Sequence, residues 1–145
     1  MSAALYNSTI LRLAASVPHD ERLPHAQGTA EKRSPTCGSR VVVDVVLDGD
    51  GRIAAIGQEV RACALGQASA SLMGAHAVGR SVDELAEARD AITAFLAGTR
   101  DDPGDWPGLE IFAPARDYPA RHPSIRLAFE AVAEAAANAC RAHAA

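Results

Sequence analysis

Two of the three cysteines have neighbours that suit metal or sulfur chemistry. Cys37 is followed by Gly38 in a turn before a predicted strand, and the glycine lets the backbone come close to whatever the thiol holds. Cys63 opens a helical pattern, where free backbone amides and the positive end of the helix dipole favour a thiolate. Two thiolates on rigid elements, each beside small residues, would suit a soft metal ion or an iron–sulfur unit.

The cysteines also have a structural interpretation. Unpaired cysteine is among the most buried residue types, so each thiol could simply belong to the core. An odd, widely spaced set of three is not the dense pattern of a secreted disulfide scaffold. Cys140 lies near the end of the last predicted helix, away from other potential ligands, and we treat it as incidental.

Length and composition limit the classes of protein to consider. The 145 residues, 48% of them apolar, suit one globular domain spanning 1–145. The net charge of -4 and the lack of a Lys/Arg run argue against nucleic acid as a partner. Neither a membrane span nor a secretory leader is recognisable, so we expect no membrane association and a cytoplasmic location.

The first half of the chain predicts a small sheet. Alternating valines from Arg40 to Asp48 and a return strand from Ile53 to Arg61 flank a Gly/Asp-rich turn and predict a β-hairpin. A polar segment from Gly28 to Ser34 predicts an edge strand, and Leu5 to Ala15 predicts a short N-terminal helix.

The second half predicts helices. One begins beside Cys63 and stops at Gly79, and a second begins at the capping box of Ser81 and Glu84. An acidic loop carries Trp106, which we expect to plug the loop onto the body of the protein. A short apolar segment follows, and then a long Ala-rich helix from about residue 124 to 142. This order predicts an α+β fold with a small antiparallel sheet of about three strands and helices packed on one face.

Two motifs resemble a known family. Ser34 to Arg40, S-P-T-C-G-S-R, resembles the N-P-x-C-G-D-R segment of SufU-type scaffolds. Cys63 to Met73, C-A-L-G-Q-A-S-A-S-L-M, resembles their C-S-I-S-x-A-S-A-S-x-M helix. The opening helix and the P-A-R approach to the last helix also match, so the resemblance spans nearly the whole chain. It identifies a SufU/IscU/NifU N-terminal-type iron–sulfur cluster assembly scaffold, with the long SufU-like segment between Cys63 and the last helix.

The resemblance implies four ligand positions, two of which are altered here. Cys37 and Cys63 match the first two cysteines, but Ser39 replaces the family's aspartate and Ser124 its third cysteine. Serine is a poor ligand for zinc or iron because its hydroxyl stays protonated near neutrality. The usual four-coordinate site cannot form from these positions alone.

His122 is a substitute ligand close to Ser124 in the sequence. Imidazole suits both zinc and iron. A site of Cys37, Cys63 and His122 would place two sulfurs and a ring nitrogen roughly 3.5–4 Å apart and leave one position open. Alternatively, His122 is a loop histidine that is held by Pro123 and binds no metal. His76 is a weaker choice, since it is turned away from Cys63 around the helix.

The function implied by the resemblance is that of a scaffold or sulfur-transfer protein. It would accept sulfur from a PLP-dependent, SufS-like cysteine desulfurase on Cys37 or Cys63, whose thiolate attacks the desulfurase persulfide. It would then hold iron, zinc (Zn2+) or a nascent Fe-S cluster of the [2Fe–2S] type and pass it to downstream acceptor proteins. We expect no enzymatic turnover beyond sulfurtransferase-like activity.

Two other functions remain open from the residues. The serines at positions 39 and 124 would also suit a ligand-depleted homologue that acts as a binding or regulatory module for the assembly machinery. A zinc-dependent enzyme would need an activated water and a general base, and no motif in the sequence indicates either.

Overall fold

A three-stranded antiparallel sheet, packed against helices, forms the fold. The structure is a computed structural model that describes residues 5–35 and 38–144. Its elements are α1 (Ser8–Ala15), β1 (Gly28–Arg33), β2 (Arg40–Leu47), β3 (Ile53–Arg61), α2 (Ala64–His76), α3 (Val82–Ala97), the 3₁₀ helices Leu109–Asp117 and Pro119–Arg121, and α4 (His122–Ala144).

The sheet has the order β1-β2-β3, with both pairs antiparallel. The alternating valines of β2 place Val41, Val43 and Val45 in the core, where each is fully buried. Val45 pairs with Gly28 of β1, and a Cβ on Gly28 would lie 2.1 Å from the Ala135 carbonyl oxygen of α4. Only glycine therefore lets α4 pack this closely on the valine face. The predicted α+β class and the packing of helices on one sheet face are confirmed.

The opposite face of the sheet is held by a buried carboxylate. Asp44 is 1% exposed and accepts hydrogen bonds from Arg22 Nε (2.6 Å), the Leu23 amide (3.0 Å) and the Thr29 hydroxyl (2.6 Å). Burial alone would raise the pKa of Asp44, but these hydrogen bonds outweigh it and hold the pKa below its usual value. Through Arg22 and Leu23, these bonds hold the loop before β1 against this face of the sheet.

Small residues let α2 pass through the centre of the helical layer. It packs against both α1 and α4, and its residues from Ala68 to Gly74 are all buried. Trp106 anchors the acidic loop on α2: the indole is 3% exposed and donates to the Leu72 carbonyl oxygen at 2.9 Å. It also meets Phe129 of α4 edge-on, with ring centroids 5.2 Å apart. The predicted role of this tryptophan is confirmed.

Several elements differ from the sequence prediction. Helix α1 begins at Ser8, because Asn7 caps it by accepting from the Ile10 amide at 3.0 Å. The apolar segment after the acidic loop is a 3₁₀ helix that contains Pro114. Helix α4 begins at His122, since a 3₁₀ turn leads directly into it. Within residues 5–35 and 38–144, none of the helices combines the length and apolarity needed to cross a membrane.

Candidate functional site

The first turns of α2 and α4 meet at one end of the sheet. A Cβ on Gly66, in the first turn of α2, would lie 3.2 Å from the Ser124 carbonyl oxygen and 3.6 Å from its Cβ. One turn further on, the Ser69 hydroxyl donates to the Ile125 carbonyl oxygen at 2.6 Å. The missing side chain at Gly66 thus lets the two helix starts approach, and it brings Ser124 to the helix that Cys63 opens.

Cys63 is the N-cap residue of α2. Its backbone is extended (φ -66°, ψ 173°), and its side chain makes no capping hydrogen bond. The thiol is half-buried and unpaired. The predicted helix start beside Cys63 is confirmed, and the residue is partly exposed to solvent.

Cys37 lies outside the described residues, and its flanking residues define the turn before β2. The Gly38 amide donates to the Ser34 carbonyl oxygen at 3.0 Å, and the Ser34 amide donates to the Ser39 carbonyl oxygen at 2.9 Å. Gly38 has a φ of +71°, a conformation that side chains disfavour. The predicted glycine turn is therefore present, while an approach of the Cys37 and Cys63 sulfurs stays a prediction.

The two serines at altered ligand positions are buried. Ser39 is 3% exposed at the entry to β2, and Ser124 is 2% exposed in the first turn of α4. Arg40 pairs with Arg61, so the chain enters β2 beside the point where it leaves β3 toward Cys63. Both serines that stand at altered ligand positions therefore lie at the same end of the fold as Cys63.

His122 is tied to the preceding 3₁₀ helix. The ring is 8% exposed, and its Nε2 atom lies 2.8 Å from the Ala115 carbonyl oxygen. Because a carbonyl only accepts, Nε2 donates its hydrogen in this bond, and Nδ1 is the ring nitrogen left for a metal ion. Metal-binding histidines commonly donate their second nitrogen to a carbonyl in this way. A ligand role for His122 stays a prediction, and it requires Nδ1.

The remaining histidine and cysteine candidates lie elsewhere. His76 is in the last turn of α2, at the end of the helix opposite Cys63, and it contacts Trp106 edge-on. Cys140 is exposed late in α4. Across residues 5–35 and 38–144, no three His, Cys, Asp or Glu side chains are grouped closely enough to hold a metal ion.

An ionic network beside the turn was not predicted from the sequence. Arg33, Arg40 and Arg61 are paired neighbours across β1, β2 and β3, and we call them the arginine row. Arg40 bridges Glu31 (2.9 Å) and Glu59 (2.8 Å). These hydrogen bonds raise the pKa of Arg40 and hold the pKa values of both glutamates below their usual range. The row becomes visible only once the strands are placed in register.

Comparison with known proteins agrees with this geometry. The sequence profile of the family described as NifU-like N terminal domain matches residues 5–138. The iron–sulfur cluster assembly scaffold protein IscU of Thermotoga maritima is 27% identical over 131 residues, which cover 90% of this chain and 92% of that protein.

Two solved structures are similar over nearly their whole lengths. The N-terminal NifU-like protein of Brucella abortus superposes with a TM-score of 0.89 at 37% identity, covering 95% of this chain and 96% of that one. The SufU protein of Fervidobacterium islandicum AW-1 superposes with a TM-score of 0.85 at 21% identity, covering 94% and 99%. The family predicted from the two cysteine motifs is confirmed: the chain belongs to the NifU-like N-terminal domain family, the iron–sulfur cluster assembly scaffolds of the IscU, SufU and NifU type.

Proposed function

We propose that this protein is a two-thiol scaffold that receives sulfur from a PLP-dependent cysteine desulfurase. It holds iron, zinc or a nascent cluster transiently on Cys63 and Cys37, and hands that cargo to acceptor proteins. The observation that carries the proposal is the Cys63 thiol, which is half-buried at the start of α2 and makes no capping hydrogen bond. Within residues 5–35 and 38–144, the structure shows neither a disulfide nor a capping hydrogen bond that this sulfur would lose when it reacts.

Sulfur transfer needs only thiol exchange at this residue. The Cys63 thiolate attacks the outer sulfur of the desulfurase persulfide, a new S–S bond forms, and the desulfurase cysteine leaves as a thiolate. No external oxidant or reductant is consumed. The N-terminal end of α2 supports the step, because its amides and dipole favour negative charge on the incoming sulfur.

The replacement of two family ligands by serine suits a metal ion or cluster that is bound only briefly. Ser39 and Ser124 are buried hydroxyls, so two thiolates provide the anionic ligands and the remaining positions are open. His122 would add a neutral ligand through Nδ1, with its Nε2–H held by the Ala115 carbonyl oxygen. A cargo held by fewer ligands dissociates more readily to an acceptor protein.

Anaerobic reconstitution with Fe2+, L-cysteine and a cysteine desulfurase tests the proposal. We expect the wild-type protein to gain iron, sulfide and visible absorbance, and the Cys37→Ala/Cys63→Ala double variant to lose nearly all of each. Cys140→Ala is the matched control, because it removes an exposed thiol remote from the site. Full metal content in the double variant would refute the proposal.

A second function is favoured by one observation. Ser39 and Ser124 are buried hydroxyls at two of the family's ligand positions, which also suits a ligand-depleted module that binds the assembly machinery without carrying a cluster. A stoichiometric [2Fe–2S] spectrum of the wild-type protein would reject this alternative. If the wild-type protein stays colourless and Ser124→Cys acquires a cluster, the ligand-depleted module is supported instead.

A further inference from the structure

The arginine row lies on the sheet face opposite α4. Gly28 of β1 faces that helix, and Arg33 follows it at an odd number of residues, so Arg33 points to the other face. Its cross-strand neighbours Arg40 and Arg61 share that face. Neighbouring strands lie about 5 Å apart, so long side chains on adjacent strands can reach one small group. The register of the sheet therefore gathers three guanidinium groups.

The nearby carboxylates neutralise this row only in part. Glu31 and Glu59 form the next row of the sheet, and both bind the central Arg40. Arg61 reaches Glu59 at only 3.7 Å, and its side chain is 76% exposed. Arg33 shares Glu31 with Arg40, and its side chain is 69% exposed. Three guanidinium groups thus face two carboxylates, which leaves one positive charge in excess and the two outer arginines open to solvent.

A cavity of about 390 Å³ opens at the arginine row. Besides the row, the described residues that line it belong to the turn before β2: Ser34, Pro35, Gly38 and Ser39. Pro35 and Gly38 are exposed, whereas the two serines are buried. The turn itself uses the amides of Ser34 and Gly38, which donate to the Ser39 and Ser34 carbonyl oxygens. One side of the cavity is therefore cationic, and the described part of the other side offers mainly van der Waals contact.

We propose that this cavity binds a small organic monocarboxylate, with the carboxylate on the two outer arginines and a short aliphatic body against Pro35. Guanidinium groups recognise carboxylates through charge-assisted hydrogen bonds, often in pairs. The volume is in the range of small-molecule sites, which are a few hundred cubic ångströms.

The charge of the surface selects a ligand with a single negative charge. One carboxylate balances the excess charge of the row, whereas a phosphate monoester carries about -1.5 to -2 at neutral pH and would exceed it. Glu31 and Glu59 in the next row would also repel further negative charge, because like charges on neighbouring strands oppose each other.

A matched series of probes tests the inference on the metal-free full chain, so the outcome does not depend on the proposed function. The side-chain Nε–H signal of Arg40 is followed by NMR during titration with sodium 4-methylpentanoate, 4-methyl-1-pentanol, sodium acetate or methyl phosphate. We expect saturable shifts with 4-methylpentanoate and none with the alcohol, which lacks the charge. Acetate should need about tenfold higher concentration for half-saturation, because it lacks the aliphatic body.

Three results would overturn the proposal. The first is that sodium chloride at equal ionic strength reproduces the shifts, since they would then report screening of the ion pairs alone. The second is half-saturation by methyl phosphate at a lower concentration than by 4-methylpentanoate. The third is equal half-saturation by acetate and 4-methylpentanoate.

Two variants locate the site. Arg33→Gln/Arg61→Gln removes the excess charge and keeps Arg40 as the reporter, and it should raise the half-saturating concentration of 4-methylpentanoate at least about tenfold. Arg89→Gln is the matched control, because Arg89 lies on α3 and pairs with Asp90, and it should leave that concentration unchanged. If the double variant binds 4-methylpentanoate as the wild-type protein does, the site is not at the arginine row and the proposal fails.

Discussion

The starts of α2 and α3 are built in opposite ways. At α3, the Ser81 hydroxyl accepts from the Glu84 amide at 3.1 Å and the Glu84 carboxylate accepts from the Ser81 amide at 2.9 Å. Arg52 donates a second hydrogen bond to this carboxylate at 2.9 Å. At α2, the N-cap residue is Cys63, and its side chain caps nothing.

The difference separates a stabilising helix start from a reactive one. At the start of α3, side chains of the protein already bind the free backbone amides, so an incoming anion would have to displace those side chains. The α2 start has a thiol where a serine would have contributed a capping hydrogen bond. Four substitutions test this contrast.

Cys63→Ser should give α2 a serine N-cap like the one at the start of α3. We expect iron bound after reconstitution to fall to the background level, because a hydroxyl does not replace the thiolate. The free energy of unfolding should rise by about 0.5 kcal/mol, since serine is a preferred N-cap residue. Metal analysis and urea unfolding measure the two effects. As the control, Cys140→Ser should change neither quantity. Iron retained by Cys63→Ser would contradict the reactive role assigned to the start of α2.

Gly66→Ala should separate the first turns of α2 and α4. The new Cβ would lie 2.6 Å from the Ala62 Cβ and 3.2 Å from the Ser124 carbonyl oxygen, so the backbone must shift. We expect a loss of about 1–2 kcal/mol in the free energy of unfolding, after allowing for the better helix propensity of alanine. Gly49→Ala is the control, because a Cβ there meets nothing within 4 Å. Equal stabilities of the two variants would contradict the close approach.

Ser81→Ala should destabilise the protein and leave its chemistry intact. Loss of the N-cap hydrogen bond is expected to lower the free energy of unfolding by about 1 kcal/mol. Ser81→Asp keeps an acceptor at the same position and should retain most of the stability. Iron binding by both variants should match the wild-type level. A loss of iron in Ser81→Ala would show that the two helix starts are coupled.

Glu84→Gln should change how stability depends on pH. The hydrogen bond from the Ser81 amide, followed by Arg52, holds the pKa of Glu84 below its usual value. Its stabilising contribution is therefore complete above the pKa of the unfolded chain and is lost as the pH falls through the lower pKa of the folded protein. Urea unfolding over a series of acidic pH values should show the two proteins converging at the acid end. A constant difference would contradict this assignment.

Local patterns predicted most of the fold. The hairpin followed from the valine alternation of β2 and from its turn, and the α3 start followed from the spacing of Ser81 and Glu84. The 3₁₀ helix from Leu109 to Asp117 was not predicted, because it has no repeating apolar period and contains a proline. Such a segment takes its conformation from the surface on which it packs.

The candidate site was predicted only in part, for a physical reason. The position of Cys63 at a helix start could be read from the adjacent residues. The meeting of α2 with α4 depends on Gly66 and Ser124, which are distant in sequence, and the arginine row depends on strand register. The engagement of His122 by Ala115 likewise depends on a turn that local propensity does not specify. The place of Cys37 relative to Cys63 stays a prediction.

Trp106 gives the protein a built-in optical reporter. It is the single tryptophan of the chain, its indole is buried, and its N–H is bound to the Leu72 carbonyl oxygen. Its fluorescence therefore comes from one environment, at the part of α2 remote from Cys63. A shift of the emission to longer wavelength would register release of the acidic loop, and unfolding could be followed by that signal without labelling either thiol.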